Sequence, residues 1–137
     1  MPTFFSSKEM YDVLTPYYHS LTLDREVGDL FTTLGLSLRL KHRNPGGVFY
    51  LDMRRNPARL LVGRSALDAT PDVELDLDAD SVHAFWLGGL NLPLAVAAGK
   101  AAASGQVGEL SRILRTFARA DGRYRAHLHA IGRDDLA

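Results

Sequence analysis

Apolar positions first recur at helical spacing. Met10, Val13, Leu14, Tyr17 and Tyr18 share one face, and Ser7 stands ahead of them as an N-cap. Pro16 removes a backbone donor inside this stretch, which predicts a kink or an end there. A second helical pattern opens at Asp24, carries Val27, Leu30, Phe31 and Leu34, and stops at Gly35. Past Gly35 the period falls to two. Leu36, Leu38 and Leu40 alternate with Ser37, Arg39 and Lys41, the pattern of a strand with one wet face. Asn44-Pro45-Gly46-Gly47 is turn chemistry and predicts an antiparallel return over Val48 to Arg54. Asn56-Pro57 then breaks the chain before a third strand over Ala58 to Arg64. In the next strand, Asp72 to Asp78, Val73, Leu75 and Leu77 lie on one side and four acids on the other. Arg39, Lys41 and Arg59 are candidate cross-strand partners for those acids.

The second half alternates helices with glycine breaks. Asp80 or Ser81 caps a helix carrying Val82, Phe85 and Trp86, which runs into Gly88-Gly89. Pro93 suits the first turn of a short helix, and Leu92, Leu94, Ala95, Val96 and Ala98 surround it. Gly99 closes that helix, and Lys100 to Ser104 reads as a strand of small side chains. After Gly105 a long helix places Val107, Leu110, Ile113, Leu114 and Phe117 inside. Asp121-Gly122 interrupts, and Tyr124, Leu128 and Ile131 suggest a last short helix. The expected fold is α+β: a single, mostly antiparallel sheet of about five strands with helices covering one face. The pattern alone does not say whether sheet and helices enclose a packed core or an apolar cavity.

The stretch from Gly88 to Gly105 resembles the signature of the sterol carrier protein 2 family of lipid-binding domains. Gly88, Leu90, Asn91, Ala95, Gly99, Lys100 and Gly105 stand at the spacing of that motif, and the order of elements matches from about Ser7 to Phe117. Pro93 sits one place later than the family's usual proline, and Ala101, Ala102 and Ala103 replace bulkier apolar residues. The resemblance implies an apolar cavity between helices and sheet that holds a sterol, a fatty acyl chain or another lipid. Its expected lining is Leu36, Leu38, Leu40, Phe85, Trp86, Leu90, Leu94, Ala95, Ala98, Ala101, Ala103, Leu110, Leu114 and Phe117. Such a site needs few polar contacts, because each CH2 removed from water contributes about 0.8 kcal/mol.

Composition narrows the classes further. A chain of 137 residues fits a single domain over residues 1–137, one that buries roughly 68% of its unfolded surface. There is no cysteine, so neither a disulfide nor a zinc-thiolate site can form. Sixteen basic residues balance sixteen acidic ones, which argues against a nucleic-acid partner. The N-terminus does not read as a signal peptide, no apolar run approaches the roughly 20 residues of a membrane span, and the C-terminal Asp-Asp-Leu-Ala is not a peroxisomal address. A cytoplasmic location follows as the expectation. The oligomeric state is left open.

Motifs for chemistry are few. Neither Gly46-Gly47 nor Gly88-Gly89 builds a nucleotide fingerprint, so no cofactor is expected. His127 and His129 are two apart with no third ligand nearby in sequence, so no metal is expected. Candidate catalytic groups reduce to His19, Tyr17 and Asp52. His19 supplies an imidazole, Tyr17 can donate a hydrogen bond, and Asp52 would be a buried base if the Tyr50 side of its strand faced inward. These would serve the alternative reading, a cofactor-independent cyclase, isomerase or hydrolase acting on a hydrophobic intermediate in the same cavity. Arg112, Arg115, Arg119, Arg123 and Arg125 would form a cationic rim for acidic lipid headgroups or transient contact with a membrane surface. The partner expected first is a hydrophobic small molecule.

Overall fold

The computed structural model describes residues 2–120 and 122–137; Asp121 of the expected Asp121-Gly122 break lies outside the described residues. Helix α1 (Ser7–Leu23) is capped by Ser6 rather than Ser7. The Ser6 hydroxyl accepts from the Glu9 N–H, and the Glu9 carboxylate reaches back to the Phe5 N–H at 2.7 Å. Ser7 is thereby freed to donate to the Gly46 carbonyl, at 2.7 Å. Pro16 neither ends the helix nor interrupts its inner face. It lies on the exposed side, while Met10, Val13, Leu14, Tyr17, Tyr18 and Leu21 are buried opposite. Burial of six large side chains outweighs the roughly 3 kcal/mol that an interior proline costs. Helix α2 (Arg25–Leu34) starts at Asp24, whose carboxylate accepts from the Val27 N–H, and ends at Gly35 in the left-handed region.

Strands β1 (Ser37–Arg43), β2 (Gly47–Asp52) and β3 (Arg59–Val62) form an antiparallel meander. Helix α3 (Arg64–Asp68) then leads to β4 (Val73–Asp78), which pairs parallel to β1. Helices α4 (Ala79–Trp86) and α5 (Leu92–Ala97) precede β5 (Ala101–Gly105), antiparallel to β4. Helices α6 (Leu110–Ala118) and α7 (Arg123–Ala130) complete the chain. The strand order is β3-β2-β1-β4-β5. The sheet is therefore mixed, not mostly antiparallel: a parallel neighbour needs a crossover, and α3 supplies it.

Register fixes what faces inward. Leu38 lies opposite Leu51 and Val73, Leu40 opposite Phe49 and Leu75, and Leu77 opposite Ala101. The outer face carries charge in pairs: Arg39 bonds Glu74 at 2.6 Å and Arg43 bonds Asp76 at 3.0 Å. Helices do not cover one face only, as α3 packs on the outer one. Ala66 and Tyr50 are buried there, and the Arg39 guanidinium donates to the Leu67 and Ala69 carbonyls at 2.9 and 2.7 Å.

Among the described glycines, Gly105 alone combines a left-handed backbone with a backbone atom where its Cβ would stand. Its φ is +85°, and a Cβ there would sit 2.3 Å from the Asp72 carbonyl oxygen. Gly47 is crowded differently, since its Cβ would meet the terminal methyl of Met10 at 2.0 Å. A side-chain end can move; the Asp72 carbonyl, just ahead of β4, accepts the Gln106 N–H at 2.8 Å and cannot move without straining that bond. Gly105→Ala is expected to cost at least about 3 kcal/mol of unfolding free energy and Gly47→Ala clearly less, as urea titration would measure.

Candidate functional site

Asp78, the last residue of β4, accepts the Ser81 N–H at 2.8 Å and starts α4 directly off the sheet. Asp78 thus takes the cap expected of Asp80 or Ser81. Two turns later α4 delivers Phe85 and Trp86, and Gly88, at φ +83°, redirects the chain. Leu90 follows, then Asn91 caps α5 through the Leu94 N–H. From the other side α6 brings Phe117 and Ala118. Together Phe85, Trp86, Gly88, Leu90, Phe117, Ala118 and Ala120 line a cleft of about 320 Å³ open to solvent, at the small end of ligand-sized pockets. None of these side chains titrates.

Three aromatic rings form its floor. Trp86 lies 5.1 Å from Phe85 and 5.2 Å from Phe117, centre to centre, and Phe85 lies 6.4 Å from Phe117. The buried indole N–H of Trp86 donates to the Tyr18 hydroxyl at 3.1 Å, which fixes the ring. Beneath them Leu40, Leu75, Leu77, Val82 and Leu92 meet the same three rings around a void of about 10 Å³. That is about the size of one water molecule. Among the described residues this place shows, in place of the one enclosed apolar cavity of the sequence expectation, an open cleft and a small void separated by Phe85, Trp86 and Phe117. Ala101 and Ala103 do not enlarge the interior. Helix α5 lies against β5, with Leu92, Ala95 and Ala101 all buried.

Of the expected lining, Phe85, Trp86, Leu90 and Phe117 meet at the cleft and Leu40 at the void below. Leu36, Leu38, Ala95 and Ala101 are buried but line neither, and Ala103, Leu110 and Leu114 are half-buried against the core. Leu94 and Ala98 point outward; Leu94 is 66% exposed. Leu75, Leu77, Val82 and Leu92 border the void although only their apolar character, not their position, was evident from the pattern. Gly88 is a position of the motif though not of the expected lining, and Ala118 and Ala120 leave no signal in the pattern.

The candidate catalytic groups do not converge. His19 is exposed on α1, whereas Tyr17 is fully buried with its hydroxyl unbonded among the described residues. Burial, more than its tyrosine neighbours, pushes the Tyr17 hydroxyl up far beyond the ordinary phenol range. Asp52 shares the outer face with Tyr50, because Phe49, Leu51 and Met53 take the inner one. It is no buried base: hydrogen bonds from Arg54, at 2.9 Å from Nε, hold its carboxyl below the usual range. His127 donates to the Val13 carbonyl at 2.8 Å and His129 pairs with Asp134.

A second groove adjoins the first. Leu30, Thr33 and Leu34 of α2, Arg112, Arg115, Thr116 and Ala118 of α6, and Arg119 at its C-cap line a shallow open groove of about 460 Å³, and Ala118 lines both hollows. Arg112 is committed to Glu109 and to the Thr33 and Leu34 carbonyls. Arg123 is likewise committed to Asp24 at 2.9 Å and Glu26 at 3.5 Å. Arg115, Arg119 and Arg125 have no ion-pair partner among the described residues. No helix among the described residues is long and apolar enough to cross a membrane.

No family model matches the sequence, and no curated protein matches it at a significant level. Solved structures do resemble it. Sterol carrier protein 2 from Yarrowia lipolytica, in its apo form, superposes with a TM-score of 0.60 at 18% identity, over 86% of this chain and 94% of that one. Sterol carrier protein domain 2 of Helicoverpa armigera gives a TM-score of 0.63 at 20% identity, over 84% and 87%. The ubiquinone synthesis protein UbiJ-SCP2 gives 0.59 at 13% identity, over 88% and 95%. With its backbone superposing on these structures over 84% to 88% of its length, the chain has the sterol carrier protein 2 fold.

Proposed function

We propose that residues 1–137 act as one carrier unit, binding a hydrophobic small molecule of the sterol, fatty acyl or polyketide-like kind whose apolar body enters past Phe85, Trp86 and Phe117. The observation that carries this reading is the stacking of an apolar cleft over an apolar void at one place, divided only by the side chains of Phe85, Trp86 and Phe117. The fold shared with two proteins named as sterol carriers supports it. The lining offers no acid or base to a substrate, which favours holding a molecule over transforming it. The free protein keeps its site collapsed, since an open apolar cavity would forfeit the contacts of every residue around it. Ligand entry then replaces aromatic packing with ligand packing, and each buried CH2 contributes about 0.8 kcal/mol.

Trp86 is the protein's one tryptophan and lies in the floor of the cleft. Titration with a long-chain lipid is expected to change its emission saturably, and native mass spectrometry of the same sample should show a 1:1 adduct. Unchanged emission together with an unliganded mass, across sterol and acyl probes, would overturn the reading.

A further inference from the structure

We propose that the groove between α2 and α6 is a headgroup site selecting anionic amphiphiles, a carboxylate or phosphate on an apolar chain, with Arg115 and Arg119 holding the anion. The inference rests on the carrier reading and adds the polarity of the cargo. Arg115 lies in the last turn of α6 and Arg119, four residues on, is its C-cap with helical backbone; both line the groove. Two like charges at that spacing repel each other, and an anion between them converts the repulsion into two charge-assisted contacts.

The rest of the groove fixes where the anion would sit. At one end Arg112 is taken up by Glu109 and by the last carbonyls of α2, which neutralises the negative end of that helix. Arg115 and Arg119, at the other end, carry charge with no ion-pair partner among the described residues. Ala118 lies between these two arginines in sequence and lines both groove and cleft. Its small side chain leaves the passage between them low. A headgroup held by Arg115 and Arg119 has its chain directed over Ala118 towards Phe117 and the apolar cleft. A neutral sterol or alcohol would use the cleft and leave the groove empty.

The test compares dodecanoate, dodecyl phosphate and dodecanol, matched in chain length and each kept below its micelle concentration, by Trp86 emission at low and high salt. The wild-type protein is expected to bind the two anions about tenfold more tightly than the alcohol, as two solvent-exposed charge contacts would give, with the gap narrowing in 0.5 M salt. Arg115→Gln/Arg119→Gln should remove that preference while leaving dodecanol binding unchanged, with circular dichroism confirming the fold. The two anions distinguish a carboxylate from a phosphate cargo by which binds tighter. Equal binding of acid and alcohol by the wild type, or an equal loss of both in the double variant, would overturn the headgroup site and leave the carrier standing. Binding of none of the three would overturn both.

Discussion

Acidification from pH 7.5 to pH 4 is expected to remove about 3 kcal/mol of unfolding free energy through His42 alone. The ring is buried on the inner face of β1, between Phe49 and the end of β4. Its Nδ1–H donates to the Leu77 carbonyl at 3.2 Å, and Nε2 is a bare acceptor with no partner among the described residues. A second proton would place an unsolvated, unbonded N–H⁺ in the core. Burial accordingly pushes His42 down from 6.5 to about 4, against the weaker pull of the Leu77 carbonyl and of Asp76 and Asp78. Above pH 6.5 both folded and unfolded chains carry a neutral ring and the group contributes no slope. Between 6.5 and about 4 the unfolded chain takes up the proton and the folded one does not, so stability falls with pH. Below 4 both are charged and the loss stops growing. His83 adds to the slope in the same direction, because burial also lowers it while its Nε2–H donates to the Leu136 carbonyl at 2.9 Å. Urea titrations at pH 7.5, 5.5 and 4.0 would measure the effect. In His42→Leu most of the slope should vanish, and an unchanged slope would show that His42 is not its source.

His42 also illustrates what local pattern conveys. Its strand is legible because Leu36, Leu38 and Leu40 alternate with polar residues, and the alternation of Val73, Leu75 and Leu77 marks β4 just as clearly. Asp24 and Gly35 bound α2 for reasons confined to one helix turn. What escapes is non-local or too short. Nothing within β1 or β4 states that they are neighbours, so neither the parallel pairing nor the presence of Leu75 and Leu77 beneath the cleft can be read from either segment. Helix α3 buries a single side chain, Ala66, and five residues are too few for a 3.6-residue period to register. Adjacent serines and nearby acids make Ser6 against Ser7, and Asp78 against Asp80, a choice settled by tertiary surroundings: the Gly46 carbonyl that takes Ser7 for the first, the end of β4 for the second. Four cleft and void residues, Phe85, Trp86, Leu90 and Phe117, are evident as apolar residues near glycine breaks. The floor they share with Leu40 depends on side-chain size, and there large rings fill the space that the motif alone leaves open.

Phe117→Ala is expected to lower stability by about 3–4 kcal/mol and at the same time to speed ligand entry. Phe117 is 3% exposed and packs against Phe31 and Trp86 with centres 6.1 and 5.2 Å apart, so truncation leaves a cavity that its neighbours only partly refill. That cavity lies between the 320 Å³ cleft and the void over Leu40 and Leu75, and joins them. On the carrier reading, a ligand chain would have to wait in the wild type for Phe85, Trp86 and Phe117 to part. The observed rate of dodecanoate binding, followed by stopped-flow Trp86 emission, should therefore level off at high ligand concentration, where opening becomes limiting. In Phe117→Ala the rate should stay linear in ligand concentration, and affinity should rise because the joined space accepts more of the chain. Phe49→Ala is the control: Phe49 is equally buried and its removal is similarly destabilising, but it lines neither hollow. If Phe49→Ala speeds binding as much as Phe117→Ala does, general loosening is the cause and the aromatic gate is wrong. If only Phe117→Ala abolishes the plateau, the three rings are what separates an empty carrier from a loaded one.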